Sequence, residues 1–182
     1  MKTSSVFIAI SFLFLAYLPG HAQRTTADAA GATSRGYLKF DGIDGESVDK
    51  DHKGWCNLTS FSQSFTRPET TSTARRRGAV TVGDIVCVKE LDKSSPKLQE
   101  AICTGKVFPK VEFELANSSG IYLKYELKNV MISSYSVSGE SGRPIEQFSI
   151  NFEEIKVTYT EQVADKSSGK VEYSWKVEEG VK

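Results

Sequence analysis

From Gly36 onward the apolar positions recur mostly at every second residue. Val111, Phe113 and Leu115 share one face of a strand while Glu112 and Glu114 take the other. Ile121, Leu123, Tyr125 and Leu127 alternate in the same way, and the apolar phase then slips to Val130 and Ile132. Phe148, Ile150 and Phe152 keep the period before slipping to Ile155, Val157 and Tyr159. A step of three inside a period of two is what an extra, bulged residue produces. Two such slips in long strands predict sheets that bend sharply, as a small barrel requires. Val171, Tyr173, Trp175 and Val177 form a last strand, and Tyr37–Phe40, Cys56–Phe65 and Val82–Glu90 are earlier ones. In the segment Cys56–Phe65, Phe61 and Phe65 form an apolar face opposite Ser60, Ser62 and Ser64.

One segment departs from the β rhythm. Ser95 suits an N-cap and Pro96 the first helical position, Leu98, Ala101 and Ile102 share a face, and Gly105 can close the end. The spacing predicts one short helix covering part of the sheet. With no βαβ alternation, the fold class is mainly β: an antiparallel barrel or sandwich with one flanking short helix.

The first residues follow a different pattern. The apolar run Val6–Leu18 lies behind Lys2, is broken by Pro19 and Gly20, and is followed by small residues at Gly20 and Ala22. It is shorter than the about 20 residues that span a bilayer. The layout is that of a secretory signal peptide, residues 1–22, cleaved after Ala22 and leaving no membrane anchor. The mature protein is then secreted or periplasmic. Residues 23–35, small and polar without period, form a flexible leader, and 36–182 form the folded domain.

Charge and chemistry narrow the function by subtraction. Lys plus Arg and Asp plus Glu each number 23, so there is no basic excess of the kind that marks a nucleic-acid binder. Two His and three Cys leave little from which to assemble a zinc cluster. The acidic stretch Asp41–His52 fails as a calcium loop, because the third position from Asp41 is Ile43 and the fifth from Asp49 is Lys53. His52 beside Asp49 and Asp51 has no nucleophile motif to serve, and a structural or solvated residue is the better reading. No glycine-rich phosphate cradle occurs. No catalytic residue, cofactor or metal site is expected. Cys56, Cys87 and Cys103 are expected to be buried as small hydrophobes, with their disulfide state open.

The string Tyr37-Leu38-Lys39-Phe40-Asp41-Gly42-Ile43-Asp44-Gly45-Glu46-Ser47, followed by Asp49-Lys50-Asp51-His52-Lys53-Gly54-Trp55, resembles the opening of the haemolysin-coregulated protein (Hcp) family. These are the tube subunits of bacterial type VI secretion systems. Ser60-Phe61-Ser62, the segment Leu91–Leu98 with Cys103–Lys106, the strands Leu127–Tyr135 and Glu146–Tyr159, and Tyr173-Ser174-Trp175 resemble later family blocks in the same order. The resemblance runs from Gly36 to the C-terminus. It implies a two-sheet β-barrel that assembles into homo-hexameric rings, which stack into a tube and accommodate effector cargo in the lumen. The chain ends soon after the Trp strand, with no fused effector domain expected.

The expected function is therefore a non-enzymatic ring-forming subunit. The alternative follows from the N-terminal segment, which typical family members lack: an exported Hcp-like binding or host-interaction protein acting outside a tube. Two polar loops are candidate assembly elements. One carries Asp41, Asp44, Glu46, Asp49 and Asp51, and the other, Thr66–Thr81, carries Arg75, Arg76 and Arg77. Their opposite charge suits contact between copies.

Overall fold

The computed structural model describes residues 34–67, 80–139, 142–163 and 166–177. The signal segment, nearly all of the leader, and Arg75, Arg76 and Arg77 lie outside the described residues. The described elements, in chain order, are β1 (Arg35–Phe40), β2 (Cys56–Leu58), β3 (Ser60–Ser62), β4 (Phe65–Thr66), β5 (Thr81–Val82), β6 (Ile85–Glu90), α1 (Ser95–Thr104), β7 (Val107–Asn117), β8 (Gly120–Ser138), β9 (Ile145–Asn151), β10 (Glu154–Val163) and β11 (Lys166–Lys176). β1 thus begins at Arg35, a residue assigned above to the leader.

The main sheet runs β2-β1-β7-β8-β9-β6-β3, with every pairing antiparallel. Its two ends, β2 and β3, are separated only by Thr59, whose N–H donates to the Val88 carbonyl of β6 at 2.8 Å. The sheet therefore closes on itself as a barrel, which leaves neither β2 nor β3 as an open end. β10 branches from the free edge of the first half of β8 and carries β11 on its other side. A separate two-stranded sheet joins β4 to β5.

The first phase slip is where the barrel bends. Leu127, Val130 and Ile132 all point into the core, and Asn129 between them adopts φ 50°. The register with β9 shifts between Ile132 and Ser134. Directly opposite, the second slip is realised differently from the bulge expected there. The chain breaks at Phe152–Glu153, so β9 and β10 are two strands following one another along β8. The corner is stitched by Glu153 N–H to the Lys128 carbonyl at 3.1 Å and by Asn129 Nδ2 to Glu153 Oε2 at 2.5 Å. A bend of both strands at one level keeps their ladder intact on either side.

Leu38, Phe40, Val111, Phe113, Leu127, Phe148, Ile150 and Ile155 are fully buried within the core. Phe40 meets Phe108 and Phe148 at ring-centroid distances of 4.9 and 6.1 Å. Each such side chain contributes about 1.5–3 kcal/mol by leaving water. Helix α1 lays Leu98 and Ala101 on this core. Gly105 ends it at φ 63°, a left-handed conformation with little penalty for glycine. The N-cap is Ser94, one residue earlier than the spacing suggested, because the Ser95 hydroxyl is engaged by the Asp92 N–H at 3.0 Å.

Three further expectations are corrected. Cys56–Phe65 is not one strand: it turns at Thr59 to pair first with β1 and then with β6, and breaks again before β4. Phe61 packs on Phe113, whereas Phe65 beyond that second break is 49% exposed. Cys56 and Cys87 are buried thiols, but Cys103 lies on the outer side of α1 and is exposed.

Candidate assembly site

The acidic loop leaves β1 at Phe40 and is pinched into a neck before it rejoins the barrel at β2. Gly45 N–H donates to the Gly54 carbonyl at 2.8 Å, and Ser47 N–H and Gly54 N–H close two more bonds at 2.9 Å. The neck is so narrow that a Cβ on Gly45 would stand 2.4 Å from the Trp55 carbonyl oxygen, a backbone atom that cannot swing away. Beyond it lies the tip, where Val48 is 95% exposed.

The predicted acidic residues do not form one open anionic patch. Asp44 takes Lys39 Nζ at 2.6 Å, and that hydrogen bond holds its carboxyl below the usual range. Glu46 accepts the Lys93 N–H at 3.1 Å and pairs with Arg143 at 3.3 Å. Asp51 pairs with Lys50 at 3.4 Å, both exposed, and Asp41 is exposed at the Gly42 turn. Asp49 accepts from the Asp51 N–H and from His52 Nδ1, each at 3.0 Å. The His52 bond leads in lowering the Asp49 carboxyl.

His52 turns inward instead of to solvent. It is 1% exposed, its ring stacked on Tyr37 at 3.9 Å and met edge-on by Trp55 at 5.1 Å. Its Nε2 reaches Glu114 Oε2 at 2.8 Å. Glu114 lies on the polar face of β7, and the loop covers it. Its other oxygen bonds Lys124 of β8 at 3.0 Å. Lys124 also bonds Glu112 at 2.9 Å; partial burial works to lower its pKa, but the two carboxylates prevail and raise it. Glu112 and Glu126 are like charges directly opposite in the ladder, and Lys124 lies diagonally between them.

A second buried cluster escaped the sequence reading. Lys89 is fully buried, pairs with Glu146 at 2.6 Å and Asp92 at 2.8 Å, and donates to the Glu90 carbonyl at 2.8 Å. Tyr135 donates to the other oxygen of Glu146 and accepts from Gln99 of α1 at 3.1 Å. The signal was legible: Lys89 is in phase with Ile85 and Cys87, Glu146 with Phe148 and Ile150, and the two are register partners. This cluster ties the loop before α1 to β6 and β9.

Neither cluster has the parts of a catalytic site. His52 and Lys89 face carboxylates and are closed to solvent, and beside Lys89 the Ser94 hydroxyl and the Cys56 thiol are buried and hydrogen-bonded, Cys56 to Ser94 and Ser94 to Asp92. Among the described residues no group of three or more His, Cys, Asp or Glu could hold a metal ion. The second sequence-predicted loop, with Arg75, Arg76 and Arg77, lies outside the described residues, so the two candidate loops are not seen together.

A closed antiparallel barrel, a capping helix and buried ion pairs that fasten loops define the class of fold. Comparison with known proteins says which. The family model "Type VI secretion system effector, Hcp" matches residues 37–159, more than half of the chain. Protein hcp1 of Pseudomonas aeruginosa (strain PAO1) is 31% identical over 155 residues, covering 80% of this chain and 96% of that protein. A solved structure described as a type six secretion system protein superposes with a TM-score of 0.75 at 27% identity, covering 80% of this chain and 97% of the other. Hcp1 from Salmonella typhimurium gives 0.68 at 25%, covering 80% and 96%. The chain belongs to the Hcp family of the type VI secretion system, a structural and non-enzymatic family.

Proposed function

We propose that this chain is a ring-forming subunit that closes into homo-hexamers, stacks into a tube and carries effector cargo in the lumen. The single observation that carries the reading is membership of the Hcp family over nearly the whole folded domain. A ring that closes by rotation repeats one interface between two unlike patches of the same chain. Two exposed apolar pairs suit that need. Tyr159 and Val171 face each other across β10 and β11, at 45% and 70% exposure. Val107 and Met131 are register partners on β7 and β8, also exposed. Measured along β8, from Leu123 beside Tyr159 to Met131, the pairs are about 27 Å of strand path apart.

Light scattering of the purified protein is expected to give six copies of the 20.1 kDa chain, less the signal segment if it is removed. A monomer at high micromolar concentration overturns the ring. The second reading, an exported Hcp-like protein acting outside a tube, is favoured by the apolar run Val6–Leu18. It predicts that the genes beside this one encode no sheath, baseplate or spike protein.

A further inference from the structure

We propose that the cleft between the tip of the Gly45–Trp55 loop and the turn joining β7 to β8 is a binding site for a terminal carboxylate, held by Arg35 and Lys50. The inference goes beyond the ring reading and does not depend on it, because every residue it uses belongs to one copy of the chain.

The cleft holds about 430 Å³. Antiparallel pairing makes Arg35 and Ala116 register partners, so the first residues of β1 and the last of β7 lie side by side there. The loop tip closes the third side with Asp49 and Lys50, and Ser118 stands at the turn. These groups differ in what they still have to offer. Asp49 is already engaged, by the Asp51 N–H and His52 Nδ1, each at 3.0 Å, and by the Tyr37 hydroxyl. Arg35 is not. Its guanidinium donates to the Tyr37 hydroxyl and, among the described residues, pairs with no carboxylate. Its planar fork of N–H groups suits a carboxylate held by two parallel bonds.

The other lining groups agree. Lys50 has Asp51 at 3.4 Å, an exposed surface pairing that a ligand can displace. Asn117 gives its Oδ1 to the Ser119 N–H at 2.8 Å, which leaves its amide N–H groups to donate. Ser118 adds a hydroxyl with no partner among the described residues. The groups left over are donors and the acceptor is used, which selects an anion. Formal charge says which one. Arg35 and Lys50 against Asp49 leave the lining side chains at +1. A carboxylate matches that charge, whereas a phosphate dianion brings one charge too many and sets it beside Asp49. Tyr37 and Ala116 line the remaining space, which suits a small side chain next to the carboxylate. Such a group is carried by the end of a peptide or by a small free acid.

Isothermal titration calorimetry of the full protein at neutral pH tests this with four probes: acetyl-alanyl-alanine, the same dipeptide as its C-terminal amide, acetate and inorganic phosphate. The dipeptide acid is expected to bind, and its amide to bind at least about tenfold more weakly, for want of a charge-assisted bond. Arg35→Gln is expected to bring the acid down to the level of the amide, and Lys50→Gln to weaken it as well. Both side chains are exposed, so both variants should keep the wild-type melting temperature. Acetate that binds as well as the dipeptide supports the site and assigns it to a small acid; a clear preference for the dipeptide supports it and assigns it to a peptide end. No binding of the acid up to ~10 mM overturns the proposal. So do equal affinities for acid and amide, an Arg35→Gln protein that binds like wild type, or phosphate binding more tightly than either carboxylate. Ring and monomer give the same reading, so loss of the hexamer in light scattering leaves this result standing.

Discussion

At the scale of single residues, burial decides which polar groups matter. Lys89 and Glu146 are both at 0% exposure and 2.6 Å apart, so the charge of each depends on the other. Lys89→Met is expected to destabilise by about 3–5 kcal/mol, since it strands a buried carboxylate. Adding Glu146→Leu is expected to recover most of the loss in urea titrations, because an apolar pair of similar volume owes no desolvation cost. Recovery of none of it would show that the cluster acts as more than an ion pair. Asp92 adds a pH dependence of known sign. Burial pushes its carboxyl up, but the bonds from Lys89 and Ser94 prevail and hold it below the ordinary value. Its contribution is present above the ordinary carboxylate range and is lost as pH falls through the depressed pKa. The thiols divide in the same way. Burial raises Cys56 to about 11 and Cys87 further, whereas Cys103 is exposed. One thiol is expected to react with a disulfide reagent in the native protein and three after unfolding, and reductant should leave the melting temperature unchanged. Two fast native thiols would contradict the packing.

At the scale of elements, the corner between β8 and the β9–β10 pair is the feature on which the bend depends. Asn129 sits at φ 50°, a conformation that costs most side chains roughly 1–2 kcal/mol. Asn is among the residues that tolerate it, and its amide also bonds Glu153. Asn129→Gly should keep the bend and lose the bond; Asn129→Val should pay for both strain and bond. Chemical denaturation is expected to rank them wild type, Gly, then Val in falling stability. A Val variant as stable as the Gly variant would mean that the corner does not need this backbone conformation. The corner was half legible: the slip from Leu127 to Val130 marks it in β8. The slip from Phe152 to Ile155 marks it again, and only pairing showed that the two lie opposite. A period of two reports which face a residue takes, not which strand lies beside it.

At the scale of the whole molecule, the predictions concern copies of the chain and its route out of the cell. Ring closure through apolar patches should persist at high salt, since burial of apolar area does not depend on screening. If the acidic loop meets Arg75, Arg76 and Arg77 of a neighbouring copy, as proposed for stacking, that contact should weaken as the Debye length falls below ~10 Å above 0.1 M salt. Replacing those three arginines by glutamate is expected to abolish stacking and spare the hexamer, read by light scattering and by electron microscopy of end-to-end rings. Stacks that survive both high salt and the triple change would place the stacking contact elsewhere. The mature protein is expected to begin at Gln23; an intact mass that retains Met1 in the soluble cytoplasmic fraction would favour an ordinary tube subunit over an exported one.

Although the apolar positions Tyr159 and Val171 of β10 and β11 lie exposed, the sequence by itself determined the β class, the helix with its Gly105 stop, the inward faces of β7, β9 and the middle of β8, and the family. These depend on local periodicity and on blocks of residues in order, both properties of neighbours along the chain. Tertiary structure alone decided that Thr59 joins the two ends of the sheet and that Cys103 faces outward. It also turned His52 from a loop residue beside two aspartates into a buried ring between Asp49 and Glu114. Sixty-two positions separate His52 from Glu114, and no pattern in the chain records that β7 passes beneath the loop. Charge is legible in sequence, but which charge meets which is decided where distant strands are brought within hydrogen-bond reach and water is shut out.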